Sequence, residues 1–225
     1  MRRVIYLVAL IWGAVADIPT EDQRTQVVEF LTNLRESVDP PASNMLLTRY
    51  SSALETAAEK SLANCSSNGL ERNCIPQDVH HFGIHSSQKG PAYFDMLNLH
   101  ASVGHDYNYD HNKCTRSCLY YKMMILATSN AVGCAQKECT GQGDTSESYL
   151  TICLLKKKGG NADERPYKRG KSCSECPDGF ICHRKQCLDQ PPPVTHSHSP
   201  TNSISTILSP VSIINMLIFG LCFVA

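Results

Sequence analysis

The sequence predicts an α+β fold with a central antiparallel sheet, followed by a small disulfide-rich hinge. Three observations carry that prediction. Apolar residues recur at helical spacing through the N-terminal half. Dense apolar runs separated by short turns come next, and four of the twelve cysteines crowd into residues 173–187.

A chain of 225 residues holds one medium domain with appendages, or at most two small domains. Its 21 basic residues balance 21 acidic ones. That balance excludes a dedicated nucleic-acid binder, which needs a basic excess to displace counterions from phosphates. Twelve cysteines point to an oxidising compartment.

Both ends read as processing signals rather than parts of the fold. Arg2 and Arg3 precede the apolar run Val4–Val15, and Ala14-Val15-Ala16 supplies a small-residue cleavage site, so 1–16 reads as a secretory signal. The run is too short for a spanning helix, which needs roughly 20 apolar residues. At the other end Val211–Ala225 carries no charge and follows a polar stretch of small residues. A glycosylphosphatidylinositol signal over 204–225 fits this order, with attachment at Asn202 or Ser203. A short tail anchor and an inert hydrophobic end are the alternatives. Removing the leader's two arginines leaves 19 basic residues against 21 acidic, and removing Cys222 leaves eleven cysteines, so one thiol is free or bridges to another chain.

Between these ends the expected order is a first domain over 17–160, a cysteine-rich hinge over 161–189 and a Pro/His/Ser-rich stalk over 190–203. The first helix is predicted over Thr20–Val38. Thr20 and Gln23 form a capping box, and Val27, Leu31, Leu34 and Val38 form its buried stripe. Asp39-Pro40-Pro41 stops it. A second helix starts at Ser51 or Ser52 with Glu55 in the boxed position, and Leu54, Ala57, Ala58, Leu62 and Cys65 share one face. Asn64-Cys65-Ser66 is a glycosylation sequon. A third helix runs from Pro91 through Phe94, Leu97 and Ala101. Cys118–Thr128 then reads as a buried central strand, with Ala131–Cys134 and Tyr149–Leu155 as shorter partners.

Residues 156–187 hold nine Lys or Arg against four Asp or Glu. They include Cys173, Cys176, Cys182 and Cys187, whose intervals are too short for paired zinc knuckles. Two disulfides stapling a segment too small to own a core suit them better. Six of the nine histidines fall between 80 and 111: His80, His81, His85, His100, His105 and His111. They read as a histidine-rich surface loop. A metal site with His81 and His85 one helical turn apart is the sharper alternative, but no carboxylate stands at a matched interval. Neither a nucleophile elbow, nor an H-E-x-x-H helix, nor a phosphate loop is present, so no catalytic residue is expected.

The segment Leu34-Arg35-Glu36-Ser37-Val38-Asp39-Pro40-Pro41-Ala42-Ser43-Asn44-Met45-Leu46 resembles the first-helix exit of CAP-domain proteins: cysteine-rich secretory proteins, antigen 5 and pathogenesis-related 1. Three further stretches are similar to the same family. They are the second helix ending in Cys65, the pair Val132-Gly133-Cys134 and Leu150-Thr151-Ile152-Cys153, and Pro166-Tyr167 through Cys182, which resembles the hinge of the glioma-pathogenesis-related and peptidase-inhibitor branch. The resemblance covers about residues 22–188. It implies an α-β-α sandwich and a Cys134–Cys153 disulfide, and less directly Cys65–Cys118. Cys74, Cys114 and Cys139 are the remaining disulfide candidates of the first domain.

The family's cavity motif is degenerate here. Where the family places a histidine two residues after a cysteine, the sequence has Cys118-Leu119-Tyr120, so Tyr120 replaces it. The second histidine, expected near Gly69, is absent. So are the G-E-N glutamate between Cys74 and Gly83 and the W-x-x-E glutamate near His100–Val103. The resemblance therefore implies a non-enzymatic binding module with no cofactor or metal, and the leader and tail imply that it is secreted or held at the cell surface by a lipid anchor. Its expected partner is a lipid, a sterol or another protein. The basic 156–187 segment is either a contact for anionic glycans or a solvated hinge. A secreted hydrolase and an adhesive protein dimerised through the odd cysteine are the alternatives.

Overall fold

The computed structural model describes residues 16–63, 75–86, 92–139, 149–157 and 164–189. The leader through Val15, Asn64, Cys65, Gly69, Cys74, Pro91, the stalk, and the tail with Asn202 and Ser203 lie outside the described residues.

Helix α1 spans Glu21–Glu36, and its start is the reciprocal box read from the sequence. Thr20 Oγ1 accepts from the Gln23 amide at 3.3 Å, and Gln23 Oε1 accepts from the Thr20 amide at 2.8 Å. The helix closes at Ser37, ahead of the prolines, with Val27 and Leu31 fully buried. Strand β1 (Arg49–Tyr50) leads into α2 (Ser52–Ser61). Ser51 caps α2 by accepting from Leu54 N at 3.3 Å. Because Ser51 is the cap, the boxed position falls on Leu54. The expected capping role of Glu55 is corrected: its carboxylate goes to Arg24 and Tyr50.

Strand β2 (Val79–Ser86), α3 (Tyr93–Ser102) and a 3-10 turn (Val103–Asp106) follow. Next come a small hairpin of β3 (Tyr107–Asn108) and β4 (Lys113–Cys114), and the short helix α4 (Leu119–Met124). Strands β5 (Ala131–Glu138) and β6 (Tyr149–Lys156) complete the domain, and β7 (Phe180–His183) with β8 (Gln186–Asp189) form the hinge hairpin.

The main sheet has the order β1-β5-β6-β2. Its three long strands are antiparallel, with Cys134 opposite Cys153 and Phe82 opposite the same Cys153. The two residues of β1 pair parallel to β5, which makes the sheet mixed rather than purely antiparallel. Both faces are covered, so β6 is buried along nearly its whole length and reads as a continuous apolar run. On one face Val132, Cys134, Cys153, Leu155 and Phe82 meet Val27 and Leu31 of α1 and Tyr93, Met96 and Leu97 of α3. On the other, Ala135, Leu150, Ile152 and Leu154 meet Leu54, Ala58 and Leu62 of α2. This is the α-β-α sandwich. Gly133 sets its closest approach, because a Cβ there would lie 2.2 Å from the Glu55 amide nitrogen.

Two expectations are overturned. Cys118–Thr128 is not a strand: it forms α4 and the turn after it, burying Met124 and Ile125 while Leu119 and Tyr120 face outward. A short dense apolar run looks alike in a buried helix and a strand. The sheet position it would have filled belongs to β2, where Phe82 and Ile84 alternate with histidines. The histidines accordingly do not form one surface loop. His80, His81 and His85 lie on β2, His100 on α3, His105 in the 3-10 turn and His111 in the β3–β4 turn, so His81 and His85 are four positions apart along a strand rather than one turn apart on a helix.

The described cysteines are bridged as Cys114–Cys118, Cys134–Cys153, Cys173–Cys182 and Cys176–Cys187, and Cys139 is also disulfide-bonded. Cys118 therefore joins the end of β4 rather than Cys65. The unpaired thiol inferred from the odd count is not among the described residues.

The hinge is docked, not loose. Cys187 N donates to Met45 O at 2.6 Å and Leu47 N to Cys187 O at 2.9 Å. Arg184 reaches across to α1, donating to both Glu29 carboxylate oxygens at 2.8 Å and to Glu36 Oε2 at 3.0 Å.

Candidate functional site

Tyr120 sits where α3, α4 and β2 converge. Its ring centroid is 4.5 Å from that of His100 and 6.3 Å from that of Phe82. His100 in turn meets Phe82 edge-on, with centroids 5.5 Å apart and planes at 87°. Phe82 is 1% exposed and forms the floor, whereas Tyr120 is 39% exposed and forms the roof. Leu99 and Leu119, the sequence neighbours of the stacked pair, are 51% and 45% exposed. A cluster of tilted and edge-on aromatic rings, with exposed leucines next to it in sequence, occupies the region where the sequence placed an eroded cavity motif.

The state of His100 follows from its contacts. Burial holds its pKa below the usual 6.5, opposed by a hydrogen bond to the Gly83 backbone. A bond that favours the protonated ring is one the ring donates, so the acceptor is the Gly83 carbonyl. Nε2 is buried and has no hydrogen-bond partner. Val103 stands in the 3-10 turn where the W-x-x-E glutamate was sought. Among the described residues no three His, Cys, Asp or Glu side chains converge on a metal-sized site.

A second arrangement was invisible in the sequence. Arg24 clamps Glu55 from two nitrogens, Nε to Oε2 at 2.9 Å and a terminal nitrogen to Oε1 at 2.7 Å. The Tyr50 hydroxyl donates to Glu55 Oε2 at 2.6 Å and accepts from the Cys134 amide at 3.2 Å. Desolvation first, and the bond to Glu55 second, raise the Tyr50 pKa well above its ordinary value. Arg24 and Tyr50 line a groove of about 550 Å³ beside Val28 and Arg49. Of its charged groups, Arg24 pairs with Glu21 and Glu55, Glu29 with Arg184, and Arg49 donates to the Asp189 carbonyl, and the Arg24–Glu55–Tyr50 contacts tie α1, β1 and α2 together.

Four cations of the basic segment also have internal partners. Lys168 pairs with Glu175 at 2.7 Å, Arg169 with Asp110, and Arg184 with Glu29 and Glu36. Arg165 donates to the carbonyls of Tyr109 and Asp110 at 3.0 and 2.7 Å while lying over the Tyr109 ring. Arg165, Lys168 and Arg169 border a groove of about 430 Å³ between the hinge and Leu126–Thr128. Exposed pairs of this kind contribute little each, and their common effect is to hold the hinge against the domain.

Tyr120 was legible through the cysteine register, but its partner His100 was not. The histidine density between 80 and 111 was the available signal, though spacing alone could not separate His100 from its neighbours.

Comparison with known proteins agrees with this architecture. The sequence model described as the cysteine-rich secretory protein family matches residues 28–155. Human cysteine-rich secretory protein LCCL domain-containing 1 is 29% identical over 187 residues, covering 76% of this chain and 37% of the relative. Mouse peptidase inhibitor 16 is 27% identical over 190 residues, covering 78% and 37%. The chain thus spans just over a third of the length of these curated relatives. Two solved structures share the fold. Hookworm platelet inhibitor gives a TM-score of 0.58 at 19% identity, over 76% of this chain and 93% of that one. Na-ASP-1 gives 0.63 at 18%, over 80% and 49%.

Proposed function

From the premise that this chain belongs to the cysteine-rich secretory protein family, we propose that it is an extracellular, non-enzymatic module that binds an apolar ligand, a lipid or sterol, at the mouth between α3 and α4. One observation carries the reading. At the position where the family motif has a histidine, the half-exposed Tyr120 ring lies tilted against His100 with centroids 4.5 Å apart, and the neighbouring Leu99 and Leu119 are also exposed. Such a surface offers area to an apolar body and one polar contact to orient it.

The leader at 1–16 supports entry into the secretory pathway, and the 204–225 tail supports retention at the cell surface by a lipid attached at Asn202 or Ser203. Release from cells by a phosphatidylinositol-specific phospholipase is the expected behaviour of that form. Protein that stays cell-bound after the treatment counts against the anchor.

The binding reading is tested by titrating the purified protein with a fluorescent fatty acid and a fluorescent sterol. Saturable binding of either is expected, weakened by Leu119→Glu. No saturable binding of either probe overturns the reading. Ester or peptide turnover by the unmodified protein that equals or exceeds that of Tyr120→His overturns its non-enzymatic part.

A further inference from the structure

We infer that the groove between the hinge and Leu126–Thr128 is a second binding site, and that it takes a sulfated glycan. It is separate from the mouth between α3 and α4 and does not depend on the lipid reading of that mouth.

The groove holds about 430 Å³, a size that accepts a small-molecule ligand. Its lining sets Arg165, Lys168 and Arg169 against one carboxylate, that of Glu164. Two of these cations converge on the same ring. The guanidinium carbon of Arg165 lies 5.4 Å from the Tyr109 centroid and that of Arg169 4.8 Å, so the two are within about 10 Å of each other. Their post is fixed: the Tyr109 hydroxyl donates to the Tyr167 carbonyl at 3.0 Å and accepts from the Arg169 amide at 2.9 Å.

Arg169 pairs with Asp110, but Arg165 is in no ion pair among the described residues. Its bonds to the carbonyls of Tyr109 and Asp110 orient the fork without neutralising it. Two neighbouring guanidiniums with one paired carboxylate leave a local positive potential, and their planar forks match an oxyanion. The Lys168–Glu175 and Arg169–Asp110 pairs are well exposed and individually weak, so both cations can turn toward an incoming anion.

The rest of the lining separates a glycan from an acidic peptide. Asn44 Oδ1 accepts from the Lys168 amide at 2.9 Å, which leaves the two Nδ2 hydrogens as donors. Thr128 Oγ1 is buried and has no hydrogen-bond partner, a feature that calls for a reason. Glu164 adds an acceptor to the same wall. A run of acidic side chains meets repulsion from Glu164 and leaves the Thr128 hydroxyl unused. A sulfated sugar brings a sulfate for the arginines, hydroxyls that donate to Glu164 and Thr128, and oxygens that accept from Asn44.

The experiment titrates the purified protein with a heparin-derived tetrasaccharide, its desulfated and N-acetylated counterpart, and a glutamate peptide of equal charge. The sulfated sugar is expected to bind saturably and about tenfold or more tightly than either control. Backbone amides within 126–128 and 164–169 should gain protection from hydrogen exchange when it is bound. Arg165→Gln should weaken binding about tenfold and Thr128→Val about threefold, the losses given by one charged and one neutral hydrogen bond. Lys156→Gln removes a cation of the basic segment that lies outside the groove and pairs with Asp78, and should change affinity by less than about twofold. If Arg165→Gln does not fold, the protection pattern of the unmodified protein carries the test. Equal losses from Arg165→Gln and Lys156→Gln, or protection outside the groove alone, overturn the inference in favour of diffuse attraction by a solvated hinge. Binding of the glutamate peptide as tight as that of the sulfated sugar also overturns it, as does the absence of saturable binding. None of these results bears on the lipid reading, whose probes are different.

Discussion

Arg35 Nε lies 3.4 Å from Gln186 Oε1 in the interior, although 151 residues separate the two. The same guanidinium donates to the carbonyls of Met124, Leu126 and Leu46 at 2.8 Å, of Ser129 at 3.1 Å and of Ala127 at 3.5 Å. Burial pushes its pKa down to about 9, which still leaves it charged at neutral pH. No carboxylate appears among these partners: carbonyls from the turn after α4 and the segment before β1 replace the water that burial removes. Gln186 Nε2 donates to the Thr32 carbonyl at 3.1 Å, so the last hairpin is sewn into the first helix.

Arg35→Met should therefore do two things at once. Stability should fall by about 3–5 kcal/mol, the usual cost of leaving buried polar groups without their partner. The amides of β8 should also lose protection from hydrogen exchange, since Gln186 loses its Arg35 contact and keeps only the Thr32 carbonyl on α1. Denaturant midpoints read the first effect and exchange mass spectrometry the second. A variant as stable as the unmodified protein, or one whose β8 stays protected, refutes the account.

Gly133 gives a sharper steric prediction. A Cβ there would lie 2.2 Å from Glu55 N, 2.6 Å from Leu54 C and 2.7 Å from Leu54 Cβ, and backbone cannot move aside as a flexible side chain can. Gly133→Ala should cost on the order of 3 kcal/mol or more by forcing α2 off β5. Thermal unfolding of the secreted variant checks it, and a melting temperature within a degree or two of the parent would show that α2 sits farther from the sheet than described.

What could be read from the sequence divides along physical lines. The start of α1 was legible because Thr20 and Gln23 cap it within one turn, and its face because Val27 and Leu31 repeat at the helical period. Strand β6 was legible because both its faces are buried. Helix α4 was not, since its six residues are too few for a period to declare itself. Strand β2 was hidden because histidines interrupt the alternation of Phe82 and Ile84. The substitution at Tyr120 could be counted from Cys118 and Cys134, whereas its contact with His100 joins two helices and exists only in the folded packing. The Arg24–Glu55–Tyr50 arrangement was missed for a related reason: Glu55 looked like a cap because Ser52 stands three residues before it, and only the choice of Ser51 as the cap frees the carboxylate.

That carboxylate is the subject of a third prediction. Glu55 is nearly buried and Arg24 about one-fifth exposed, so solvent screens their pair only in part. Glu55→Ala leaves the Tyr50 hydroxyl without its acceptor and Arg24 with only the exposed Glu21, and should destabilise by about 2–4 kcal/mol. Arg24→Met should cost less, because Tyr50 still donates to Glu55. In a double-mutant cycle the two changes should be coupled by about 1–3 kcal/mol, measured in urea. Strict additivity would mean that the bidentate contact does not persist in solution.

The last prediction concerns pH and returns to His100. Its ring meets Phe82, Tyr120 and the Gly83 carbonyl, while His80 and His81 lie on the adjoining strand and Tyr121 and Lys122 on α4. None of these supplies a negative charge at neutral pH. Burial lowers the folded-state pKa of His100, and burial together with Lys157 and His81 lowers that of His80. A histidine whose folded pKa is depressed is protonated more readily in the unfolded chain. Stability is then full above the unfolded value near 6.5, declines as pH falls below it, and levels off once pH is beneath the folded value. The protein should accordingly melt at a lower temperature at pH 5 than at pH 7.5. In His100→Phe, which preserves the stack without a titrating group, that difference should shrink while the part owed to His80 persists. Thermal melts of both proteins across this range decide the matter: an equal acid loss in parent and variant would place the sensitivity elsewhere. A parent that grows more stable on acidification would reverse the sign, requiring a protonated His100 with an acidic partner that the described contacts do not contain.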